Sequence, residues 1–224
     1  MKFLIFDAGP IISLTMSGLL GVLRRLKEIF EGEFVITPQV TNEVVSRPLK
    51  IKKYELEAIQ VKKLIDDGIL KKSSLFVQND KLEKETCRIL MIANSTLTYA
   101  KSKEKINLIH EGEASCLAFS NLCSKENVIV IDERTTRMLI EAPKNLKELM
   151  ERKLHDQLSL DFSKLNSLKN FKFIRSSELL FLAYEKGLLP FKKGRQTLDA
   201  LLYGVKFKGT AISSAEIEEM KSMV

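Results

Sequence analysis

A single acid, Asp7, ends the first apolar run of the chain. It directly follows residues 3–6, which are Phe, Leu, Ile and Phe, and it precedes Gly9 and Pro10. This pattern is typical of a buried strand that ends on a carboxylate just before a helix begins. In open α/β sheets, ligands bind beyond the carboxyl ends of the strands. We therefore expect Asp7 to lie at a ligand-binding edge of a sheet.

Three further acids have positions that could bring them to Asp7. Asp132 directly follows the apolar run 128–131, Glu113 lies at the start of a predicted helix, and Glu43 lies within a short helix among valines. Neighbouring carboxylates raise one another's pKa unless their charge is compensated. A hard divalent cation such as Mg²⁺ or Mn²⁺ prefers oxygen ligands and bridges to phosphates. The four acids together therefore favour a metal site that could act on a phosphodiester.

Each acid taken alone has a simpler explanation. Asp132 could cap a helix, Glu43 could be a surface residue, and Glu113 could interact favourably with a helix dipole. Only the joint pattern favours metal binding. Competing sites have weak support, because the sequence contains neither GxGxxG nor GxxxxGK[ST] and its two histidines, His110 and His155, have no zinc-binding spacing.

Composition and charge indicate a globular protein with an affinity for polyanions. The chain has 224 residues, 45% of them hydrophobic, and a net charge of +7. Residues 161–208 contain ten Lys/Arg and four Asp/Glu, and so carry most of this excess. Within them, Lys192, Lys193 and Arg195 are the candidate nucleic-acid contacts, although a solvated basic face would give the same pattern.

The amino-terminal segment and the cysteines bear on the compartment. Residues 3–23 are apolar enough to suggest a signal peptide or a membrane span, but an acid such as Asp7 is costly within a span. Gly9 and Pro10 indicate a strand, a turn and a helix instead. The three cysteines include no CxxC pair, which favours a reducing interior. We expect a cytoplasmic protein that is not in the membrane.

Short strands that alternate with helices predict an α/β fold around a parallel sheet. The expected strands are 2–6, 33–36, 128–131 and 171–174, and residues 69–77 are ambiguous. The expected helices are 10–30, 39–46, 54–67, 82–103, a helix opening at 112–113, 135–141, 145–160, 176–186, 192–205 and 213–223. We expect residues 161–170 to be loop or helix. The whole chain, 1–224, is predicted to be a single domain, with a helical insertion at 143–170 and a strand-and-helix completion at 176–224.

Four segments resemble the PIN-domain family of metal-dependent nucleases, which includes the VapC-type toxins. They are FLIFDAGPIISL (3–14), VITPQVTNEVV (35–45), EGEASCLAFS (111–120) and VIVIDERTTRMLIE (128–141), and they follow the family order. Two later segments, SSELLFLAYEKGLLP (176–190) and TAISSAEIEEM (210–220), resemble the tail of a subgroup of prokaryotic PIN proteins with extra helices.

The resemblance implies a three-layer α/β/α fold and an endoribonuclease that uses Mg²⁺ or Mn²⁺. It implies RNA as substrate, with an antitoxin protein and a homodimer as further candidate partners. By position, it assigns metal binding and catalysis to Asp7, Glu43, Glu113 and Asp132. Glu133, Arg137 and Ser13 are accessory candidates, although Glu133 could be only a helix acid and Arg137 only a surface ion pair. The alternative function is a non-catalytic nucleic-acid-binding or assembly module on the same fold.

Overall fold

The computed structural model describes residues 2–123, 126–168 and 171–224. In these residues a five-stranded parallel sheet is surrounded by α-helices, and a two-stranded antiparallel sheet lies apart from it. The helices Asn79–Thr96 and Glu111–Leu122 pack against each other, and the helix Ala8–Met16 contacts both Glu55–Asp66 and Ser176–Glu185. The predicted α/β/α fold is therefore confirmed. The helices are α1 (Ala8–Met16), α2 (Val22–Ile29), α3 (Pro38–Thr41), α4 (Glu55–Asp66), α5 (Asn79–Thr96), α6 (Glu111–Leu122), α7 (Arg134–Glu141), α8 (Pro143–Leu154), α9 (Phe162–Leu165), α10 (Ser176–Glu185), α11 (Arg195–Lys206) and α12 (Ser214–Ser222).

The parallel sheet has the strand order β3-β2-β1-β5-β7. At its centre, Phe6 of β1 pairs with Ile36 of β2 and with Val130 of β5. The carboxyl ends of these three strands therefore lie at the same edge of the sheet. The strands are β1 (Lys2–Phe6), β2 (Gly32–Ile36), β3 (Leu70–Lys72), β5 (Asn127–Val130) and β7 (Phe173–Ile174).

A turn divides the predicted helix 10–30 into α1 and α2, so the expectation of one continuous helix is wrong. Gly18 has a φ of +68°, a left-handed conformation that favours glycine. Its N–H donates to the carbonyl of Thr15, and the N–H of Leu19 donates to the carbonyl of Leu14. These are the bonds of a helix that ends on a left-handed residue.

Two other predicted helices end earlier than expected, and each is followed by a short strand. The helix expected at 82–103 ends at Thr96 and is followed by β4 (Leu97–Tyr99), and the one expected at 145–160 ends at Leu154 and is followed by β6 (Leu158–Leu160). Strands β4 and β6 pair antiparallel, with Leu97 opposite Leu160. Threonine and tyrosine favour strands, and pairing with a distant segment stabilises one here.

The secondary structure of the segments 143–170 and 176–224 differs in part from the prediction. Segment 143–170 contains α8, β6, α9 and a 3-10 turn at Asn166–Leu168, so it is not purely helical. Residues 169–170 lie outside the described residues. The strand expected within 176–224 lies just before it, as β7. The ambiguous stretch 69–77 contains β3 and a 3-10 turn at Ser73–Leu75.

One cluster of buried apolar residues joins both ends of the chain. It extends from Phe6 in the central strand to Ile217 and Met220 in α12. Burial of one large apolar side chain contributes about 1.5–3 kcal/mol. The carboxyl-terminal helices are therefore held to the sheet by the same core. Within the described ranges, we find no helix with the length and apolar character needed to cross a membrane.

Candidate functional site

Asp7 lies at the carboxyl end of the central strand, as predicted. Its N–H donates to the carbonyl of Val130 at 3.0 Å, and its side chain is 4% exposed. Burial is the largest cause that raises the pKa of this carboxyl from its ordinary 3.8 to about 8, and the nearby negative charges of Glu113 and Glu43 contribute to the same rise. The charged form of Asp7 is thus unfavourable unless a cation compensates it.

Glu43 lies in an irregular helical turn next to the start of α6. Residues Asn42–Ser46 form a π-helical turn, where a continuation of the ordinary helix was expected. Such turns occur often at functional sites. A Cβ atom on Gly112 would lie 2.9 Å from Oε1 of Glu43, so only glycine leaves this carboxylate its place.

Like-charged neighbours perturb Glu43 as they perturb Asp7. Its pKa is raised, first by partial burial and then by the charge of Glu113, while Arg47 and His110 oppose the rise. Glu43 and Asp7 are therefore both influenced by Glu113. These three acids belong to one electrostatic group.

Glu113 also stabilises the start of its own helix. Its Oε2 accepts the N–H of His110 at 2.9 Å, which satisfies a backbone donor at the start of α6. The simpler explanation, a helix-start acid, is thus part of its role. The same geometry places its negative charge beside Asp7 and Glu43.

Asp132 is 2% exposed and is held by two polar side chains from the carboxyl-terminal part of the chain. Its Oδ1 accepts the N–H of Ser176 at 2.8 Å. Its Oδ2 accepts the hydroxyls of Ser176 at 2.8 Å and of Thr210 at 3.0 Å. A Cβ atom on Gly9 would lie 3.5 Å from Cβ of Asp132 and 3.7 Å from Oδ2 of Asp7, so both acids flank this glycine.

Ser176 and Thr210 were not predicted as site residues. Both lie in the segments that carry the resemblance to the tail of a PIN subgroup, and this was the only signal for them in the sequence. Arg175, also not predicted, secures the two segments: it donates to Glu178, to Glu216 at 2.7 Å and to the carbonyl of Ala211 at 3.0 Å.

The accessory candidates have structural contacts. Glu133 caps α7 by accepting the N–H of Thr136 at 2.7 Å. Arg137 lies 3.9 Å from Glu141 on the same helix. The hydroxyl of Ser13 donates to the carbonyl of Lys208 at 3.3 Å. Each of these three side chains therefore has a contact within the protein.

The predicted nucleic-acid contacts, Lys192, Lys193 and Arg195, lie at the amino-terminal start of α11. The segment that contacts Asp132 contains Thr210 and follows the carboxyl-terminal end of this helix. Arg195 and Lys206 are separated by about 16 Å along this helix. Lys193 is exposed and donates to the carbonyl of Glu185 at 2.7 Å. Other basic residues lie nearer to the acids. Arg47 and Lys208 line a groove of about 740 Å³ together with Glu43.

The donor chemistry of the acids fits a hard divalent cation, because all four side chains offer carboxylate oxygens. In the described ranges, none of these acids forms an ion pair with Lys, Arg or His. Nor does this part of the chain contain three or more His, Cys, Asp or Glu side chains already grouped as a metal site. Glu113 and Asp132 instead accept hydrogen bonds from protein donors.

Comparison with known proteins gave no match to a family model, a curated protein or a solved structure. The resemblance to the PIN-domain family therefore rests on the quoted segments alone and stays a prediction.

Proposed function

We propose that this chain is a metal-dependent endoribonuclease that hydrolyses RNA phosphodiester bonds. The observation that supports this most strongly is the burial of the Asp7 carboxyl at the carboxyl end of the central strand, with Glu113 and Glu43 as its charged neighbours, which raise its pKa. A buried acid among other acids is costly to ionise, and such perturbed groups are concentrated at functional sites. A divalent cation would remove this cost.

In the proposed enzyme, Asp7, Glu43, Glu113 and Asp132 hold Mg²⁺ or Mn²⁺. When bound, such a cation offsets the charge of a phosphodiester and lowers the pKa of water. Ser176 orients the Asp132 carboxylate through two hydrogen bonds. The absence of a side chain at Gly112 leaves room for the Glu43 carboxylate.

RNA is the proposed substrate because the chain is basic and the groove beside Glu43 also has cationic side chains. The net charge is +7, and Arg47 and Lys208 line the groove. Positive charge near a site attracts polyanions and speeds their association. A cytoplasmic location belongs to this proposal, as do an antitoxin protein and a homodimer as further partners.

A second candidate is a non-catalytic nucleic-acid-binding module on the same fold. The observation that favours it is the engagement of Asp132 with Ser176 and Thr210, together with the lack of a preformed metal cluster among the described residues. This candidate predicts RNA binding that weakens with salt and does not need the acids.

Cleavage of labelled single-stranded and hairpin RNA tests the proposal, with Mg²⁺, with Mn²⁺ and with EDTA. We expect cleavage only with a divalent cation, and its loss in Asp7→Asn while the circular dichroism spectrum stays unchanged. Asp80→Asn is the matched control, because Asp80 is an exposed acid at the start of α5. Absence of cleavage by the unaltered protein, or equal cleavage by Asp7→Asn, would contradict the proposal.

A further inference from the structure

An aromatic pair with one exposed member, Phe207, and one partly buried member, Tyr203, lies at the end of α11. Phe207 is 77% exposed, which is the highest exposed fraction of any large hydrophobic residue in the described parts of the chain. Its ring stacks on that of Tyr203, with centroids 5.9 Å apart and planes at 29°. Tyr203 also contacts Lys206, whose ammonium lies 5.3 Å from the ring centroid. Phe207 is not an isolated exposed residue, because Ile12, Met16 and Ile51 are also exposed and line the same groove. A contiguous exposed apolar patch with cations beside it can mark a binding surface.

This aromatic pair is linked directly to the candidate site. Phe207 lines the same groove as Glu43. Three residues further along the chain, Thr210 donates to Asp132 at 3.0 Å. The carbonyl of the intervening Lys208 accepts the Ser13 hydroxyl at 3.3 Å, which fixes this segment against α1. The exposed ring is therefore held in the groove that Glu43 also lines, on a segment whose next residues reach Asp132.

We infer that Phe207 is a stacking platform for an unpaired base of single-stranded RNA. Aromatic side chains bind the faces of bases with little sequence preference, and cationic side chains beside them contact the phosphates. Exposed Arg47 and Lys208 supply that charge in the same groove. This inference rests on the proposed function and deepens it, because it selects single-stranded RNA over duplex RNA, whose bases are already stacked.

The other occupant to consider is an apolar segment of protein, including one from a second copy of the chain. The groove is also lined by the exposed side chains of Ile12, Met16 and Ile51, which an apolar side chain would contact. The cations Arg47 and Lys208, which line the groove together with the exposed ring, match a base with its phosphates better than they match a purely apolar segment of protein. The experiment below treats a second copy as a separate outcome.

Fluorescence anisotropy tests the inference with a labelled single-stranded RNA of about ten nucleotides, a length within the usual range for such sites. Low salt and EDTA keep the RNA bound and uncut. We expect Phe207→Ala to weaken binding about tenfold and Phe207→Tyr to retain it. The duplex form of the same RNA should bind more weakly and be insensitive to Phe207→Ala. Because Phe207 is exposed, its replacement should leave the fold intact.

Phe191→Ala is the matched control. Phe191 is 53% exposed but lines a separate groove with Ser17 and Leu19. Its replacement should change the affinity less than about twofold, the size expected of a surface substitution. Unchanged binding in Phe207→Ala, equal weakening in Phe191→Ala, or no binding by the unaltered protein would overturn the inference. It would also be overturned if sedimentation shows a dimer that Phe207→Ala dissociates while RNA affinity stays the same.

Different experimental results would contradict the proposed nuclease activity and the proposed stacking role of Phe207. Loss of RNA affinity in Phe207→Ala, with no metal-dependent cleavage by the unaltered protein, supports the platform and contradicts the nuclease. Cleavage that depends on Asp7, with RNA affinity that is independent of Phe207, supports the nuclease and contradicts the platform.

Discussion

The Asp132 carboxylate accepts both the N–H and the hydroxyl of Ser176, each at 2.8 Å, across 44 residues of sequence. Both groups are almost completely excluded from solvent, with 2% exposure for Asp132 and 0% for Ser176. A buried carboxylate needs such donors, because burying it without partners is costly. The carboxyl-terminal part of the chain thus fixes one of the four candidate metal ligands.

We expect Ser176→Ala to lower the free energy of unfolding by about 1–3 kcal/mol, because Asp132 loses a buried hydroxyl donor. Urea denaturation in EDTA measures this change. Ser177→Ala is the matched control: Ser177 is also fully buried, and its hydroxyl has no hydrogen-bond partner in the described parts of the chain. The control removes a buried hydroxyl that has no partner among the described residues, so it should not lower stability. Equal losses in both variants would contradict a specific role for Ser176.

The positions of Asp7 and Asp132 could be predicted from local sequence. Each follows a short apolar run, and in a parallel sheet such runs bring their carboxyl ends to one edge. The start of helix α3, which precedes Glu43, could also be predicted from the pair Thr37 and Pro38. In the structure Thr37 caps α3 by accepting the N–H of Val40 at 3.4 Å, and Pro38 occupies the first helical position.

Features that depend on distant contacts could not be predicted in this way. Thr210 donates to Asp132 across 78 residues, and no local pattern encodes that bond. Strands β4 and β6 form because they pair with each other, and each alone resembles the end of a helix. The π-helical turn that carries Glu43 is another case, since its apolar spacing fits an ordinary helix almost as well. Local propensity is overridden wherever tertiary pairing decides the conformation.

Gly112→Ala should separate metal affinity from stability. The added Cβ atom would lie 2.9 Å from Oε1 of Glu43, and the flexible end of that side chain can move away. We expect Mn²⁺ affinity to fall about tenfold, as for other changes that misplace a ligand. Stability should stay equal or rise slightly, because alanine favours helices by about 1 kcal/mol over glycine. Isothermal titration calorimetry and thermal unfolding measure the two quantities.

The control for this variant is Gly204→Ala on α11. A Cβ atom on Gly204 would meet nothing within 4 Å. It should raise stability by a similar small amount and leave Mn²⁺ affinity unchanged. If Gly112→Ala binds Mn²⁺ as tightly as Gly204→Ala does, the carboxylate of Glu43 is not a ligand.

Asp7 should make the metal-free protein less stable as pH rises. Its pKa is about 8 in the folded chain and near 3.8 when unfolded, so below 3.8 both states are protonated and no effect is expected. Between these values only the folded state retains the proton, and the free energy of unfolding falls by up to about 1.4 kcal/mol per pH unit. Above about 8 the loss is complete.

Asp7→Asn removes this penalty. In EDTA we expect its stability advantage over the unaltered protein to grow by about 1–3 kcal/mol from mildly acidic pH to pH near 8. Urea denaturation at the two pH values measures the advantage. Asp80→Asn, which changes an exposed acid, should show no such growth. An advantage of Asp7→Asn that is the same at both pH values would show that Asp7 ionises normally in the folded chain.

Divalent metal binding should release a proton from Asp7. Because the pKa of this carboxyl is about 8, it is protonated in the metal-free protein at neutral pH, whereas a ligand must be ionised. We therefore expect Mn²⁺ affinity to rise about tenfold per pH unit below pH 8 and to level off above it. The raised pKa of Glu43 adds to this slope. Calorimetry in buffers of different ionisation enthalpy counts the protons released, and at least one per Mn²⁺ is expected at neutral pH. Tight binding without proton release would place the metal away from Asp7.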